Sequence, residues 1–355
     1  VAHNNIQKIL RILHREPCSQ AELCEKLKLS KSHIHKLISN LIEPGLIEKT
    51  EDFQTENTLG RPRQTLKISQ NLQYCTVLVV HTDIEFKASI FVYGHEKALG
   101  SVDLPFVDYA LDFANTLDAA IDTLTQNYFL NRSLILSIVI ATHATVEQGE
   151  HGIMYRNNML RDKNIGFADL VAEVTKIRTF VYNYAYGNLL SLKHNPLVDT
   201  SYALVIHNGH GSVALGLFLN NEITLGKNNS FPECSHLPFP YGFEQSLGEY
   251  TPHTEEALYF AISVLAPIYN MNEVIISGDC LLQHQDVIDN VGNMLKHCED
   301  PRLHNIHIRY CGSEARHNFE ELVYLSFDSL VEVLDPQIAS KDLESLVSKI
   351  SYSNF

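Results

Sequence analysis

The spacing of apolar residues changes its period once along this chain, and that change limits the fold more than any other feature of the sequence. Up to residue 43 the apolar residues recur at the three- and four-residue steps that line one face of a helix. After residue 73 short apolar runs of strand length alternate with longer helical stretches. This order predicts a small helical unit followed by a larger body of α/β layers. A chain of 355 residues, 45% hydrophobic and 19% charged, has the material for packed cores in two or three domains.

Ile6, Ile9, Leu10 and Leu13 predict the buried face of a first helix, which Pro17 ends. Ser19 and Glu22 stand at capping-box spacing, so a second, short helix starts there with Leu23 and Leu27 inward. A tight turn at Lys28-Leu29 leads to Ser30, the cap of a third helix whose buried face is Ile34, Leu37, Ile38 and Leu41. Its opposite face carries Lys31, Ser32, His33, His35, Lys36 and Asn40, and Pro44-Gly45 stops it. Three short helices with a polar, basic outer face on the last read as a helix-turn-helix, whose recognition helix enters the major groove N-terminus first. A solvated three-helix protein-interaction module has the same pattern, and His33 and His35 fit plain exposed positions as well as base contacts.

Two strand-like runs follow, 46–50 and 64–68, and together they predict the wing. The hairpin tip carries Arg61 and Arg63 around Pro62, and two arginines held extended suit the narrow minor groove of A·T-rich DNA. Charge separates this unit from the rest. The whole chain has net charge -15, yet residues 1–73 hold 11 Lys and Arg against 8 Asp and Glu, leaving 16 against 34 for the remainder. Only the N-terminal unit suits phosphate, and an acidic body confines DNA contact to it.

In the body, strands are expected at 75–80, 88–93, 134–142, 179–182, 202–207, 213–219, 222–225, 273–277 and 306–311. Helices are expected at 109–130, 167–176, 255–269, 281–298, 319–333 and 341–350. Each half begins with strand-hairpin material, which hints at a duplicated fold. No apolar run reaches about 18 residues, so no membrane span is expected, and no signal peptide is visible. Seven scattered cysteines point to free thiols in a reducing cytoplasm.

The order winged helix, Gly60-Arg61-Pro62, two-lobed α/β body resembles the ROK family of repressors and sugar kinases, in particular the branch of N-acetylglucosamine and xylose repressors. The resemblance implies an actin-like ATPase fold with a sugar cleft between two lobes. It divides the chain into a winged helix-turn-helix domain at 1–73, a first lobe at 74–195 with 335–355 packed back on it, and a second lobe at 196–334 that carries the cleft and dimerises.

The departures from the family pattern bear on activity. Active family kinases carry Asp-x-Gly-Gly-Thr-Lys where this chain reads Thr82-Asp83-Ile84-Glu85-Phe86-Lys87, so the glycines that admit a phosphate are gone. The family's catalytic Asn-Asp pair reads Asn183-Tyr184, and a tyrosine of ordinary pKa near 10 is a poor general base. The second phosphate turn, Gly209 to Gly216, has Ala214 for a glycine and fits an ordinary strand turn equally well. The family's zinc-loop cysteines are missing after Glu233-Cys234-Ser235-His236, and Cys234, His236 and His253 form only a remote substitute. Neither cofactor nor metal is expected. By resemblance, Asn183, Glu233, His236 and Glu249 fall on sugar-contacting positions, although Glu233 and His236 also fit a pair that merely holds the emptied loop.

These features predict a non-enzymatic, cytoplasmic regulator that binds double-stranded DNA at an inverted repeat as a homodimer or tetramer. It represses sugar-utilisation genes under control of a sugar, a sugar phosphate or a partner protein. The competing expectations are an ATP-dependent sugar kinase with a DNA-binding appendage and a ligand-independent DNA-binding dimer.

Overall fold

The computed structural model of the chain describes residues 2–43, 45–51, 64–69, 72, 74–82, 85–95, 97–156, 159–193, 198–209, 212–235, 237–278, 280–311 and 320–326. The N-terminal unit contains α1 (Ala2–Arg15), α2 (Gln20–Leu27), α3 (Lys31–Ile42), β1 (Ile47–Glu51) and β2 (Gln64–Ile68). The capping box is present: the Ser19 side chain accepts from the Glu22 amide, and the Glu22 carboxylate accepts from the Ser19 amide at 2.7 Å. Lys28 ends α2 in the left-handed conformation. β1 and β2 pair antiparallel, and Glu48 sits opposite Lys67 as a cross-strand ion pair of 2.9 Å. Cys18 adds a bridge to Leu66, giving the three-stranded base of a winged helix.

The first lobe is built from β3 (Cys75–His81), β4 (Phe86–Val92), β5 (Gly100–Asp103), α4 (Ala110–Asn127), β6 (Ile135–Thr142), β7 (Thr145–Val146), β8 (Ile153–Arg156), β9 (Ile165–Gly166), α5 (Phe167–Thr175), β10 (Thr179–Asn183) and α6 (Tyr184–Lys193). The second has β11 (Tyr202–Gly209), β12 (Ser212–Leu219), β13 (Glu222–Thr224), α7 (Phe243–Leu247), α8 (Thr254–Tyr269), β14 (Glu273–Gly278), α9 (Asp286–Lys296) and β15 (His307–Tyr310); α10 (Glu320–Val323) follows.

The sheets run β10-β6-β3-β4-β5 and β13-β12-β11-β14-β15. In each, the first strand pairs antiparallel with the second, the second antiparallel with the third, and the first and fifth strands flank the fourth in parallel. The two lobes therefore share one topology, which is the duplication their opening hairpins hinted at.

Alternation along each strand sorts side chains between two faces. Val77 and Val79 of β3 join the core under α4 and α5, whereas Leu78 and Val80 join a core shared by both lobes. In that shared core α6 and Leu322 and Val323 of α10 pack between the inner sheet faces, against Ala203, Val205 and Ile275. Gly216, on β12, approaches α6 so closely that an added Cβ would lie 2.6 Å from Leu189. A glycine that seemed part of a phosphate turn is thus a packing position.

The winged helix is anchored to the first lobe. Tyr93 is buried in the same apolar cluster as Ile9, Leu10 and Leu66, with Tyr74 and Leu136 packed alongside. Gly94, at φ +88°, brings the β4 turn so near that a Cβ would stand 2.8 Å from the Ser69 carbonyl oxygen. The Tyr93 hydroxyl donates to the Ser326 carbonyl at 3.1 Å and lies 2.9 Å from the Ser326 hydroxyl.

Several expectations change. The helix expected from residue 281 starts at Asp286, because 281–285 form turns. The helix expected at 319–333 is, over its described part, one turn of α10 followed by a 3-10 turn (Tyr324–Ser326). Residues 335–355, including the helix expected at 341–350, lie outside the described residues. Elements α6, α7, β5 and β7 to β9 were not anticipated.

Candidate nucleic-acid interface and interlobe cleft

Helix α3 buries Ile34, Leu37, Ile38 and Leu41, so its remaining residues form one outward face. Ser30 caps the helix by accepting from the His33 amide at 3.3 Å. Lys31, Ser32, His35 and Lys36 are exposed and His33 is half-buried. Ser32 leans on Ser30, hydroxyl to hydroxyl at 3.2 Å, and Ser39 donates to the His35 carbonyl at 3.0 Å. Among the described residues neither Lys31 nor Lys36 forms an ion pair, so both charges remain for an external anion. The α3 N-terminus adds its partial positive charge on the same side. Arg61 and Arg63 lie outside the described residues, so the wing tip remains an expectation.

The two lobes meet near the carboxyl ends of the parallel strands β6 and β10, the end of such sheets at which α/β folds bind ligands. Asn183 ends β10, and both ends of its side chain are engaged. Its Nδ2 donates to the Ala144 carbonyl at 3.2 Å, and its Oδ1 accepts from the Ala185 amide at 3.0 Å, capping α6. Tyr184 is buried, its ring 4.0 Å from that of His143 and 5.7 Å from that of His207, centre to centre. His207 Nδ1 lies 2.9 Å from the Ser277 hydroxyl, and its Nε2 lies 3.2 Å from Asn188 Nδ2. Where the family pattern places a general base, this chain has an aromatic ring packed between two histidines.

Glu233 lies across the seam between the lobes. Its Oε2 accepts from the Thr145 hydroxyl at 3.1 Å, and its Oε1 accepts from the Ser235 amide at 2.8 Å and the Ser235 hydroxyl at 2.5 Å. The surrounding protein pushes this carboxyl up, but hydrogen bonds from Ser235, Thr145 and the Cys234 amide outweigh it and hold Glu233 below its ordinary range. The seam continues as Glu147 bridges to Ser230, Asn228 Nδ2 donates to Glu147 at 2.9 Å, and the Gln148 amide donates to the Asn229 carbonyl at 3.3 Å. Glu249 is exposed just after α7, with no hydrogen bond or ion pair among the described residues. His236 lies outside them.

At the position of the resembled family's first phosphate turn, Thr82 and Glu85 are tied to each other, and residues 83 and 84 between them lie outside the described residues. The Thr82 amide donates to the Glu85 carbonyl at 2.8 Å and the Glu85 amide to the Thr82 hydroxyl at 3.1 Å. Beside it His81 is buried edge-on to Phe86 and Phe113. Burial, aided by nearby His143, pushes His81 down to about 4.

Of the three residues considered as a substitute zinc set, Cys234 and His253 are described and His236 is not. Cys234 is buried, its thiol donates to the Val213 carbonyl at 3.6 Å, and burial pushes it up to about 12, so it stays protonated at neutral pH. His253 stacks on Tyr241. Among the described residues no group of three or more His, Cys, Asp or Glu is arranged to hold a metal ion. Nor is any described helix long and apolar enough to cross a membrane.

Sequence reasoning missed Thr145, Gln148, His143 and His207. Each matters through partners 35 or more residues away, or through strand ends brought together only by the fold, and no local pattern marks such positions.

Comparison with known proteins places these features. Residues 8–52 match the MarR family. The chain is 22% identical over 244 residues to the xylose repressor of Staphylococcus xylosus, a match spanning 66% of this chain and 60% of that protein's length. It superposes on a ROK family transcriptional regulator, a homologue of the E. coli MLC protein, with a TM-score of 0.68 and 18% identity, covering 94% of this chain and 99% of the other. A ROK family glucokinase from Streptomyces griseus, crystallised with glucose and AMPPNP, matches over 71% of this chain and 98% of its own, with a TM-score of 0.50 and 11% identity. The chain therefore has the architecture of a ROK transcriptional regulator: a MarR-type winged helix-turn-helix on a two-lobed, actin-like body. Within that class its sequence likeness runs to a sugar-linked repressor.

Proposed function

We propose that this protein is a sequence-specific DNA-binding repressor of sugar-utilisation genes, acting as a homodimer or tetramer in the cytoplasm, without kinase activity. The observation that carries this reading is the exposed basic face of α3, where Lys31 and Lys36 form no ion pair among the described residues, on an otherwise acidic chain. Lys31, Ser32, His33, His35 and Lys36 face the major groove, while Arg61 and Arg63 enter the minor groove. The interlobe cleft takes the effector, with Asn183, Glu233, His236 and Glu249 around it.

A continuous route supports control by the cleft. Helix α6 starts at Asn183-Tyr184, packs against Leu322 and Val323 of α10, and leads to Ser326, which Tyr93 ties to the winged-helix core. An effector acts along this route only by binding two lobe arrangements unequally.

The test is duplex binding across a salt series. Each phosphate-contacting lysine changed to Ala should weaken all sequences alike and lower the salt slope by about one. Unchanged affinity and slope in Lys31→Ala and Lys36→Ala would remove α3 from the interface. With Tyr184 at the general-base position, the purified protein should transfer no phosphate from ATP to hexoses, pentoses or amino sugars above a blank; measurable turnover would establish the kinase alternative.

A further inference from the structure

Helix α2 closes in a turn whose backbone suits glycine better than the residue that holds it. The Leu29 amide donates to the Cys24 carbonyl at 3.2 Å and the Lys28 amide to the Glu25 carbonyl at 3.3 Å. Lys28 meets this pattern at φ 52° and ψ 40°, and Leu29 and Cys24 pack against the winged-helix core. Glycine is the usual occupant of that left-handed position, because it adopts positive φ with no Cβ in the way. Among the described residues nine non-glycines have positive φ; six are asparagines, which tolerate it, and the rest are Lys28, Phe129 and Lys176. A glycine at 28 would make the same two hydrogen bonds without the strain, so the turn by itself does not call for lysine.

The side chain is set differently from its neighbours. Lys26 pairs with Glu16 and Lys67 with Glu48. Lys28 is exposed and, like Lys31 and Lys36, forms no ion pair among the described residues. It stands two residues before Ser30, roughly 7 Å of chain at most, and so at the start of the helix whose outer face carries those two lysines. No acid occupies the first turn of α3. Like charges gathered without an acid repel one another until an anion joins them. Lys176 offers a comparison within the same chain: it ends α5 at φ 60° and is also exposed. A lysine at a helix C-terminus gains from the helix dipole wherever the helix sits, so that gain is common to both. Only Lys28 belongs to the basic unit, beside the recognition helix; Lys176 sits on the acidic body.

We propose that Lys28 is a DNA phosphate contact at the rim of the groove that α3 enters, and that the turn is strained to keep its charge there. A single ammonium on a phosphate adds affinity without reading sequence. This rests on the reading of α3 as the recognition helix.

The test uses the full chain, a mixed-sequence duplex and a duplex enriched by the wild type from a random library. Lys28→Met keeps the side-chain stem and the strained turn but removes the charge. Lys28→Gly removes charge and strain together, and Lys176→Gly relieves the same strain on the acidic body. Both Lys28 variants should bind both duplexes more weakly by a common factor of about three or more, and lower the salt slope by about one. Lys28→Gly and Lys176→Gly should each raise the unfolding midpoint in urea, and Lys176→Gly should bind DNA as the wild type does. Wild-type affinity and slope in Lys28→Met overturn the contact while the recognition-helix reading stands. A loss confined to the enriched duplex overturns the phosphate assignment, and an equal loss in Lys176→Gly shows that the effect is not local and overturns it too. A midpoint that does not rise in Lys28→Gly overturns the strained turn. A wild type that binds neither duplex overturns the recognition-helix reading and this proposal together.

Discussion

His81 shows how one residue leaves a signature on the whole protein. Its imidazole is buried against Phe86 and Phe113, and neither ring nitrogen has a hydrogen-bond partner among the described residues. Its pKa falls from 6.5 to about 4 on folding. Between those values the unfolded chain holds the proton and the folded one does not. The contribution is therefore complete above pH 6.5 and is lost as pH falls toward 4, on the order of 3 kcal/mol in all. Chemical denaturation of wild type and His81→Leu from pH 7 to pH 4 should give a curve that drops for the wild type and a flatter one for the variant. Parallel curves would mean that another group sets the acid sensitivity.

Elements were legible where they meet water on one side. Helices α2 and α3 declare themselves through Ser19, Glu22 and Ser30 and through apolar positions on a single face. Helix α6 was not legible, because Tyr184, Ala185, Gly187, Asn188, Leu189 and Leu192 are all buried between two sheets and leave no polar face to set a period. The two-residue strands β7 and β9 are too short to carry any pattern, although β7 supplies Thr145 to the cleft. At α9 the apolar spacing runs on past the true start, since Leu281 is buried from a turn. In the cleft, the residue types at 183 and 233 were legible through resemblance. That the Asn183 side chain is taken up by Ala144 and Ala185, while its backbone N–H is taken by Gln148, was not.

Contacts between elements matter as much as the elements themselves. Tyr93 belongs to the first lobe, packs in the winged-helix core and bonds Ser326. Tyr93→Phe keeps the packing but leaves the buried Ser326 carbonyl without this donor, which should cost about 1–3 kcal/mol in denaturant unfolding. A loss below a few tenths would show that the clasp is not a stabilising joint.

At the scale of the whole molecule, the chain combines a small basic unit with a large acidic body of duplicated topology. One winged helix offers few phosphate contacts, so tight binding calls for two units on one duplex, and a two-fold protein reads a two-fold site. Thr82 and Glu85 are tied to each other at the edge of the first lobe, and Gly216 is held against Leu189 of α6, so both positions serve packing and turn geometry in this body.

The most direct test of sequence-specific binding by a paired winged helix is selection of duplexes from a random library by the full-length protein, with the bound sites sequenced. The account predicts an inverted repeat, its half-sites one helical turn or a multiple of about 10 bp apart, with A·T-rich flanks or centre whose preference relaxes in Arg61→Ala. Recovery of no enriched sequence, or of a lone asymmetric site bound by one chain, would contradict it.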